Sequence, residues 1–350
     1  MNAETPTPLG IQPGLRASHM RAVPQVQTVL GPAPASTLGP TLCHEHVAIR
    51  SPGVAEAWPA MGPSKSAILQ RCVRLLSRAQ RAGIGCILDH TTFDLGRDPL
   101  LLRVAAERSG VSIVAATGIW TTRPRFFGHK TDEQLAELFI RDAVTGFGGT
   151  NIRPGLIKVG VTSEPLDAFD RLLLRAAAIT HDVTGLPVTL HTDASNRSGF
   201  EAVELLSAHG VDPARVGVGH SGDTTDVAYL LELLSHGVFL GLDRFGSATG
   251  PDDNARMQVV MELCEAGFAE RLLLAHDTNC WNDRDTDQWR TQNRPNWHFE
   301  YIPNTILPSL ELRGVGTETI RQLMETNPQT WLAGTSPVPR AKPETPDPNS

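Results

Sequence analysis

Thr41-Leu42-Cys43-His44-Glu45-His46-Val47 sets two imidazoles two residues apart at the end of an apolar run. Residues i and i+2 of a strand project from the same face. If 37–47 is extended, His44 and His46 can hold one metal ion together while Glu45 faces away. The fold then turns on whether later runs of the same kind supply the missing ligands.

Seven more short runs rich in β-branched residues follow, at 85–88, 111–115, 155–161, 187–190, 216–218, 237–242 and 271–275. Between them lie longer stretches with helical spacing, at 66–82, 98–109, 132–144, 166–184, 200–209, 225–235 and 257–266. Turn signals punctuate the joins: Gly83, Gly110, Gly185-Leu186-Pro187, Gly210 with Asp212-Pro213, and Gly237. Eight β-then-α units in one chain predict an α/β fold of the (β/α)8 barrel type, with an open doubly wound sheet as the alternative. No run is followed by the glycine fingerprint of a dinucleotide fold.

With 350 residues, 40% hydrophobic and 20% charged, the chain can bury one barrel-sized core. A net charge of −7 without blocks of like charge argues against a nucleic-acid partner and against a polybasic membrane patch, which leaves small molecules. Cys43, Cys72, Cys86, Cys264 and Cys280 are scattered and odd in number, as expected of reduced thiols in a cytoplasmic protein. Residues 1–25 read as a flexible leader without a secretory apolar core, 26–334 as the barrel, and 335–350 as a disordered Pro-rich tail. No stretch approaches the length of a membrane span.

A barrel places chemistry at the C-terminal ends of its strands. The first run ends in His44 and His46, the fifth in His191, the sixth in His220, and the eighth in His276 and Asp277; the fourth carries Lys158. Any one of these histidines has a bland reading as a hydrogen-bonded residue. Several ending separate strands are hard to explain as core filler, because buried imidazole needs polar partners. A lysine within a buried strand costs several kcal/mol when charged and unpaired. Lys158 is therefore either snorkelling or salt-bridged, or it is neutralised and functional.

Other catalytic patterns fail by letter. Gly219-His220-Ser221-Gly222-Asp223 lacks the final glycine of a nucleophile elbow, and His44-Glu45-His46 is not the helical H-E-x-x-H zinc motif. Cys43 reads as a small packing residue.

Eight segments in order resemble the phosphotriesterase family of binuclear metallohydrolases, in the amidohydrolase superfamily, over roughly 27–334. They are Thr-Leu-Cys-His-Glu-His (41–46), Thr-Thr-Phe-Asp-Leu-Gly-Arg-Asp (91–98), Ala-Thr-Gly-Ile-Trp (116–120), Gly-Leu-Ile-Lys-Val (155–159), Thr-Leu-His-Thr (189–192), Gly-His-Ser-Gly-Asp (219–223), Gly-Leu-Asp-Arg-Phe-Gly (241–246) and Ala-His-Asp (275–277). The resemblance implies two divalent metal ions at the barrel mouth. It assigns His44, His46 and Asp277 to the more buried ion, His191 and His220 to the more exposed one, and makes Lys158 a bridge carboxylated on its amine by CO2. Carbamate, Asp277 and a bridging hydroxide would offset most of the charge of two 2+ ions. The hydroxide is then the nucleophile and Asp277 takes its proton. Zinc suits imidazole and carboxylate ligands, with cobalt, manganese or iron as alternatives. The resemblance also suggests a homodimer.

For substrate, relatives that hydrolyse lactones tend to carry an Asp-Arg-aromatic-Gly run after the seventh strand, which Asp243-Arg244-Phe245-Gly246 matches. Trp120 stands where a tyrosine is expected in many lactonases, and the 91–98 and 116–120 segments lie closer to the phosphotriesterases. The expectation is a lactonase, acting on acyl-homoserine or related lactones, with promiscuous phosphotriesterase activity. A primary phosphotriesterase or another ester or amide hydrolase is the alternative, and a noncatalytic metal-binding protein the least favoured. Asp243 and Arg244 read either as an ion pair on the rim or as substrate contacts, and Trp281, Trp289 and Trp297 in the long loop after Asp277 as candidates for an apolar substrate pocket.

Overall fold

The structure, a computed structural model, describes residues 23–58 and 62–334. Of the expected leader, residues 1–22 lie outside the described residues, and the expected tail, 335–350, lies wholly outside them. A small antiparallel hairpin comes first, β1 (Gln25–Thr28) and β2 (Gly31–Pro34). Then a parallel sheet is laid down in chain order: β3 (Thr41–Ile49), β4 (Cys86–Asp89), β5 (Ser112–Ile119), β6 (Leu156–Gly160), β7 (Val188–His191), β8 (Val216–Gly219), β9 (Phe239–Leu242) and β10 (Leu272–Leu274). Each pairs with its neighbour in sequence, the arrangement of a (β/α)8 barrel, and each of the eight expected runs overlaps one of these strands.

The last strand closes the ring in two pieces. β10 pairs with β9, while its continuation β11 (Asn279–Asn282) pairs with β3, setting Asn279 opposite His46 and Trp281 opposite Ala48. Between the pieces Asp277 N donates to His44 O at 2.9 Å and His46 N donates to Thr278 O at 2.8 Å. The segment bearing Asp277 is thereby stitched to the one bearing the two histidines.

Helices pack outside, each crossover returning the chain to the next strand. Their ends follow local chemistry. In Pro99–Ser109, Asp98 caps the N-terminus, Pro99 takes the first turn and Gly110 ends the helix in the left-handed conformation; Thr131 and Gln134 form a capping box on Asp132–Thr145. Both faces of the strands are buried, so side chains alternate between two cores. Ile87, Ile113, Ala115, Ile157 and Val159 face the helices, while Cys86, Leu88, Val114, Ala116 and Leu156 fill the barrel. Trp331, on the C-terminal helix Asn327–Ala333, plugs the floor with them. By the same alternation Lys158 stands one layer above Leu156 inside the barrel. Gly118 makes room for it: a Cβ there would lie 2.0 Å from Lys158 O.

Candidate metal centre

His44 and His46 lie on one face of β3 and are both buried, while Glu45 points the other way into barrel closure. Glu45 Oε1 accepts from His276 N and from His276 Nδ1, each at 2.8 Å, and Oε2 accepts from Thr278 N at 2.9 Å. Ile302 N donates to His276 Nε2 at 3.0 Å, which fixes the tautomer that donates to Glu45. His276 is thus a closure residue with both ring nitrogens engaged. Burial holds its pKa down to about 3 and pushes Glu45 above the ordinary carboxyl range.

On the inner face the histidines are oriented from behind. Asp243 Oδ2 receives His44 Nδ1 at 2.8 Å and Oδ1 receives His220 Nδ1 at 3.0 Å, with His220 N also donating to Oδ2 at 3.0 Å. Burial works against the Asp243 charge, yet His220 and His44 hold the carboxyl well below its usual range. An ionised carboxylate only accepts, so both Nδ1 atoms carry the protons and both Nε2 atoms present lone pairs. His46 Nδ1 meets Thr91 Oγ1 at 2.9 Å, and Thr91 donates to Asp89 Oδ1 at 2.8 Å. Its Nε2 likewise turns to the mouth, 3.3 Å from Asp277 Oδ1, with His44 Nε2 3.6 Å from the same oxygen. These three side chains bring ligand atoms close enough to hold one ion.

The second group faces the first. His191 Nδ1 is 2.6 Å from His220 Nε2 and receives Trp120 Nε1–H at 3.1 Å. Lys158 Nζ lies 2.9 Å from His44 Nε2. Among the described residues no carboxylate stands within ion-pair distance of this amine, and burial lowers its pKa to about 8. A buried amine facing ligand nitrogens is out of place in a purely structural network. A carboxylated amine with ions between it and the imidazoles fits this donor set.

His220, Arg244 and Asp277 follow their strands in the left-handed conformation, with φ of 61°, 68° and 53°. Non-glycine residues there are strained, and such strain gathers at functional sites. The turn separates Arg244 from Asp243, so the expected alternative of an ion pair between these neighbours does not form. Arg244 Nε instead donates to Asp277 Oδ2 at 3.0 Å, its Nη1 to Asp223, and its Nη2 lies 3.3 Å from His220 Nε2. Burial opposes the Asp277 charge, but His44, His46 and Arg244 hold the carboxyl well below its usual range.

The mouth opens into a cavity of about 770 Å³ lined by His44, His46, Trp120, Lys158, Arg244 and Asp277, with Ile49, Phe93, Leu95 and Trp297 among its apolar walls. The expected loop after Asp277 holds β11 and a helix, Asp287–Asn293, and of its three tryptophans only Trp297 reaches the cavity. Trp281 packs on the outer core and Trp289 is exposed. Asp94 fixes the Trp120 loop, accepting from Trp120 N at 3.1 Å and Thr122 N at 3.2 Å.

Sequence reasoning missed the orienting role of Asp243, the Thr91–Asp89 relay and His90. His90 directly follows β4, a strand-end position that was itself the available signal. Its ring packs against that of His44, with centroids 4.1 Å apart and planes tilted by 41°.

Residues 24–332 match the model of the Phosphotriesterase family. The chain is 34% identical over 317 residues to a phosphotriesterase homology protein of Mycobacterium tuberculosis, covering 88% of this chain and 97% of that one. It is 29% identical over 300 residues to an aryldialkylphosphatase of Saccharolobus solfataricus, covering 85% and 95%. A solved structure titled for the molecular engineering of organophosphate hydrolysis from a weak promiscuous lactonase template superposes with a TM-score of 0.82 at 32% identity, covering 88% and 99%.

Proposed function

The chain belongs to the phosphotriesterase family, and from that premise we propose that it is a binuclear metal-dependent hydrolase acting first on lactones, acyl-homoserine lactones among them, with promiscuous phosphotriesterase activity. The chemical part rests on one observation: lone-pair nitrogens of His44, His46, His191 and His220 converge with Asp277 around a buried lysine that has no anionic partner among the described residues. His44, His46 and Asp277 would hold the more buried divalent ion, His191 and His220 the more exposed one, and Lys158, carboxylated on Nζ, both. Zinc suits this set best, and cobalt, manganese or iron would also be accepted. When bound, the ions lower the pKa of water towards neutrality and polarise a carbonyl or phosphoryl oxygen.

The protein's own groups do the rest. Asp277 Oδ2, kept ionised by Arg244, is placed to accept the proton released as water attacks. Arg244 spans Asp277, His220 and Asp223, so one side chain ties the carboxylate to the second histidine pair. Trp120 Nε1 is a donor without an acceptor function. Once His191 Nδ1 is engaged as a ligand, that N–H is left for a substrate oxygen.

The lactone preference is supported by the Asp243-Arg244-Phe245-Gly246 run, by the likeness to the lactonase template and by the apolar walls of the cavity, which suit an acyl chain. The aryldialkylphosphatase relative favours the alternative, a primary phosphotriesterase or another ester or amide hydrolase. A panel of purified, metal-quantified protein against acyl-homoserine lactones, γ- and δ-lactones, aryl esters and paraoxon separates them. The expected order puts a lactone first in kcat/KM; a triester above every lactone would overturn it.

We also propose a cytoplasmic homodimer. All five cysteines are free, and among the described residues no helix is long and apolar enough to cross a membrane. Light scattering of the purified chain tests the dimer: a monomer mass at micromolar concentration would reject it.

A further inference from the structure

Lys158 Nζ has two imidazole nitrogens in reach, His44 Nε2 at 2.9 Å and His90 Nδ1 at 3.5 Å. His44 Nε2 is needed as a ligand, which among the described residues leaves His90 Nδ1 as the imidazole nitrogen free to serve the lysine. His90 is 1% exposed, does not line the large cavity and has its backbone N–H fixed on Glu45 O at 2.8 Å. Its far nitrogen, Nε2, is buried without a partner among the described residues, and so is Trp331 Nε1. Both rings line the same cavity at the barrel floor, about 10 Å³ in volume, which is the space of roughly one water.

Carboxylation of Lys158 by CO2 forms one N–C bond, moves a C=O electron pair onto oxygen and releases one proton of the neutral amine to bulk base. The nitrogen keeps a single N–H. Its lone pair is delocalised into the carbamate, so it can only donate. The two carbamate oxygens serve the ions, and the buried N–H needs an acceptor of its own. We propose that His90 is a positioning residue for the carboxylated lysine: its Nδ1 accepts the carbamate N–H, while its Nε2–H and Trp331 Nε1–H both donate to one water held in the floor cavity. The carbamate N–H sets the His90 tautomer, and the water shared with Trp331, at the far end of the barrel, accommodates the Nε2–H which that tautomer carries. This inference rests on the reading of Lys158 as a carboxylated bridge.

The test reads carboxylation and metal uptake directly. The metal-stripped full chain is reconstituted with Zn²⁺ over a range of ¹³C-bicarbonate concentrations, with zinc counted per chain and the carbamate carbon followed by ¹³C NMR. His90→Phe should raise the bicarbonate needed for half-maximal zinc uptake about tenfold, the loss expected for one hydrogen bond to a buried group. His90→Asn, whose Oδ1 takes the place of Nδ1, should return it to within about threefold of wild type. Trp331→Phe should give an intermediate shift. Reconstitution of His90→Phe at the wild-type bicarbonate concentration overturns the proposal. Should His90→Phe not fold, ¹⁵N-histidine spectra of the zinc-loaded wild type decide it: His90 protonated on Nε2 supports the assignment, and His90 protonated on Nδ1 overturns it. A wild type without a carbamate signal, together with Lys158→Ala binding two ions, would instead locate the failure in the bridging reading itself.

Discussion

Two polar networks stand back to back on β3. Inward, His44 and His46 are fixed through Nδ1 by Asp243 and Thr91, and their Nε2 atoms face Lys158 and Asp277 across an open mouth. Outward, Glu45 meets three donors from the closing segment, two backbone and one from His276, whose other nitrogen is taken by Ile302. Both networks are buried, so exposure does not tell them apart. The outer one is complete as it stands, while the inner one leaves lone pairs and an amine facing each other. A buried network that is internally satisfied holds structure; one that is satisfied only on its far side is prepared for a ligand.

Substitutions should break the two networks in different currencies. Lys158→Ala should have the largest effect, an activity loss of about 10³-fold or more with metal content falling alongside it. Metal-free thermal stability should be kept or raised, since a buried amine is removed. Propionate should restore part of both losses, and full metal occupancy of the variant would refute the bridging role.

Glu45→Ala should cost about 3 kcal/mol in urea unfolding, because it strands two backbone N–H groups and an imidazole N–H in the core. Per folded molecule its metal affinity should change less than that of Lys158→Ala. Equal losses of metal would show that the two networks are one. Asp243→Ala should weaken metal binding by about 10- to 100-fold, and for both ions, because one carboxylate orients a histidine of each group. Loss of only one ion in a metal titration would confine its role to a single histidine.

The smallest effect concerns acid stability. The folded pKa of His276, about 3, lies below the value of about 6.5 expected in an unfolded chain. Between these values the unfolded chain binds the extra proton, so stability falls as pH falls, starting near 6.5. At pH 5 this one group should account for about 2 kcal/mol relative to neutral pH. His276→Asn should lose correspondingly less between pH 7 and pH 5 in urea titrations. An unchanged loss in the variant would mean that His276 is not the group responsible.

Much of the barrel was legible because each strand is a short apolar run bracketed by glycine, proline or a helical stretch. The ends of the runs were equally legible, since imidazole and carboxylate at an apolar boundary stand out. Which way a side chain points was less so. In parallel strands buried on both faces, Leu156, Ile157 and Lys158 are all hidden, and periodicity does not separate barrel from helix side. The eighth run, 271–275, covers only the first piece of the closing strand; the stretch after Asp277 reads as loop in the sequence, yet 279–282 forms a second piece that pairs with a different neighbour. Adjacency in the sequence leaves Asp243 and Arg244 as either an ion pair or substrate contacts, and the left-handed turn at Arg244 gives them different partners. Trp289, on the helix Asp287–Asn293, and Trp297, just after it, are eight residues apart and of one type, and only their packing separates an exposed ring from a cavity wall.

By itself the sequence determined the order of eight strands and the kinds of atoms at their ends, because both are written in local periodicity and composition. The tertiary structure decided which nitrogen of each histidine is held and which is offered, and that His90 and Trp331 line one small cavity at the barrel floor. Those outcomes depend on partners such as His44 and Asp243, 199 residues apart in the chain. Hydrogen-bond direction is set by distance and protonation between such partners, and only closure of the barrel brings them within reach.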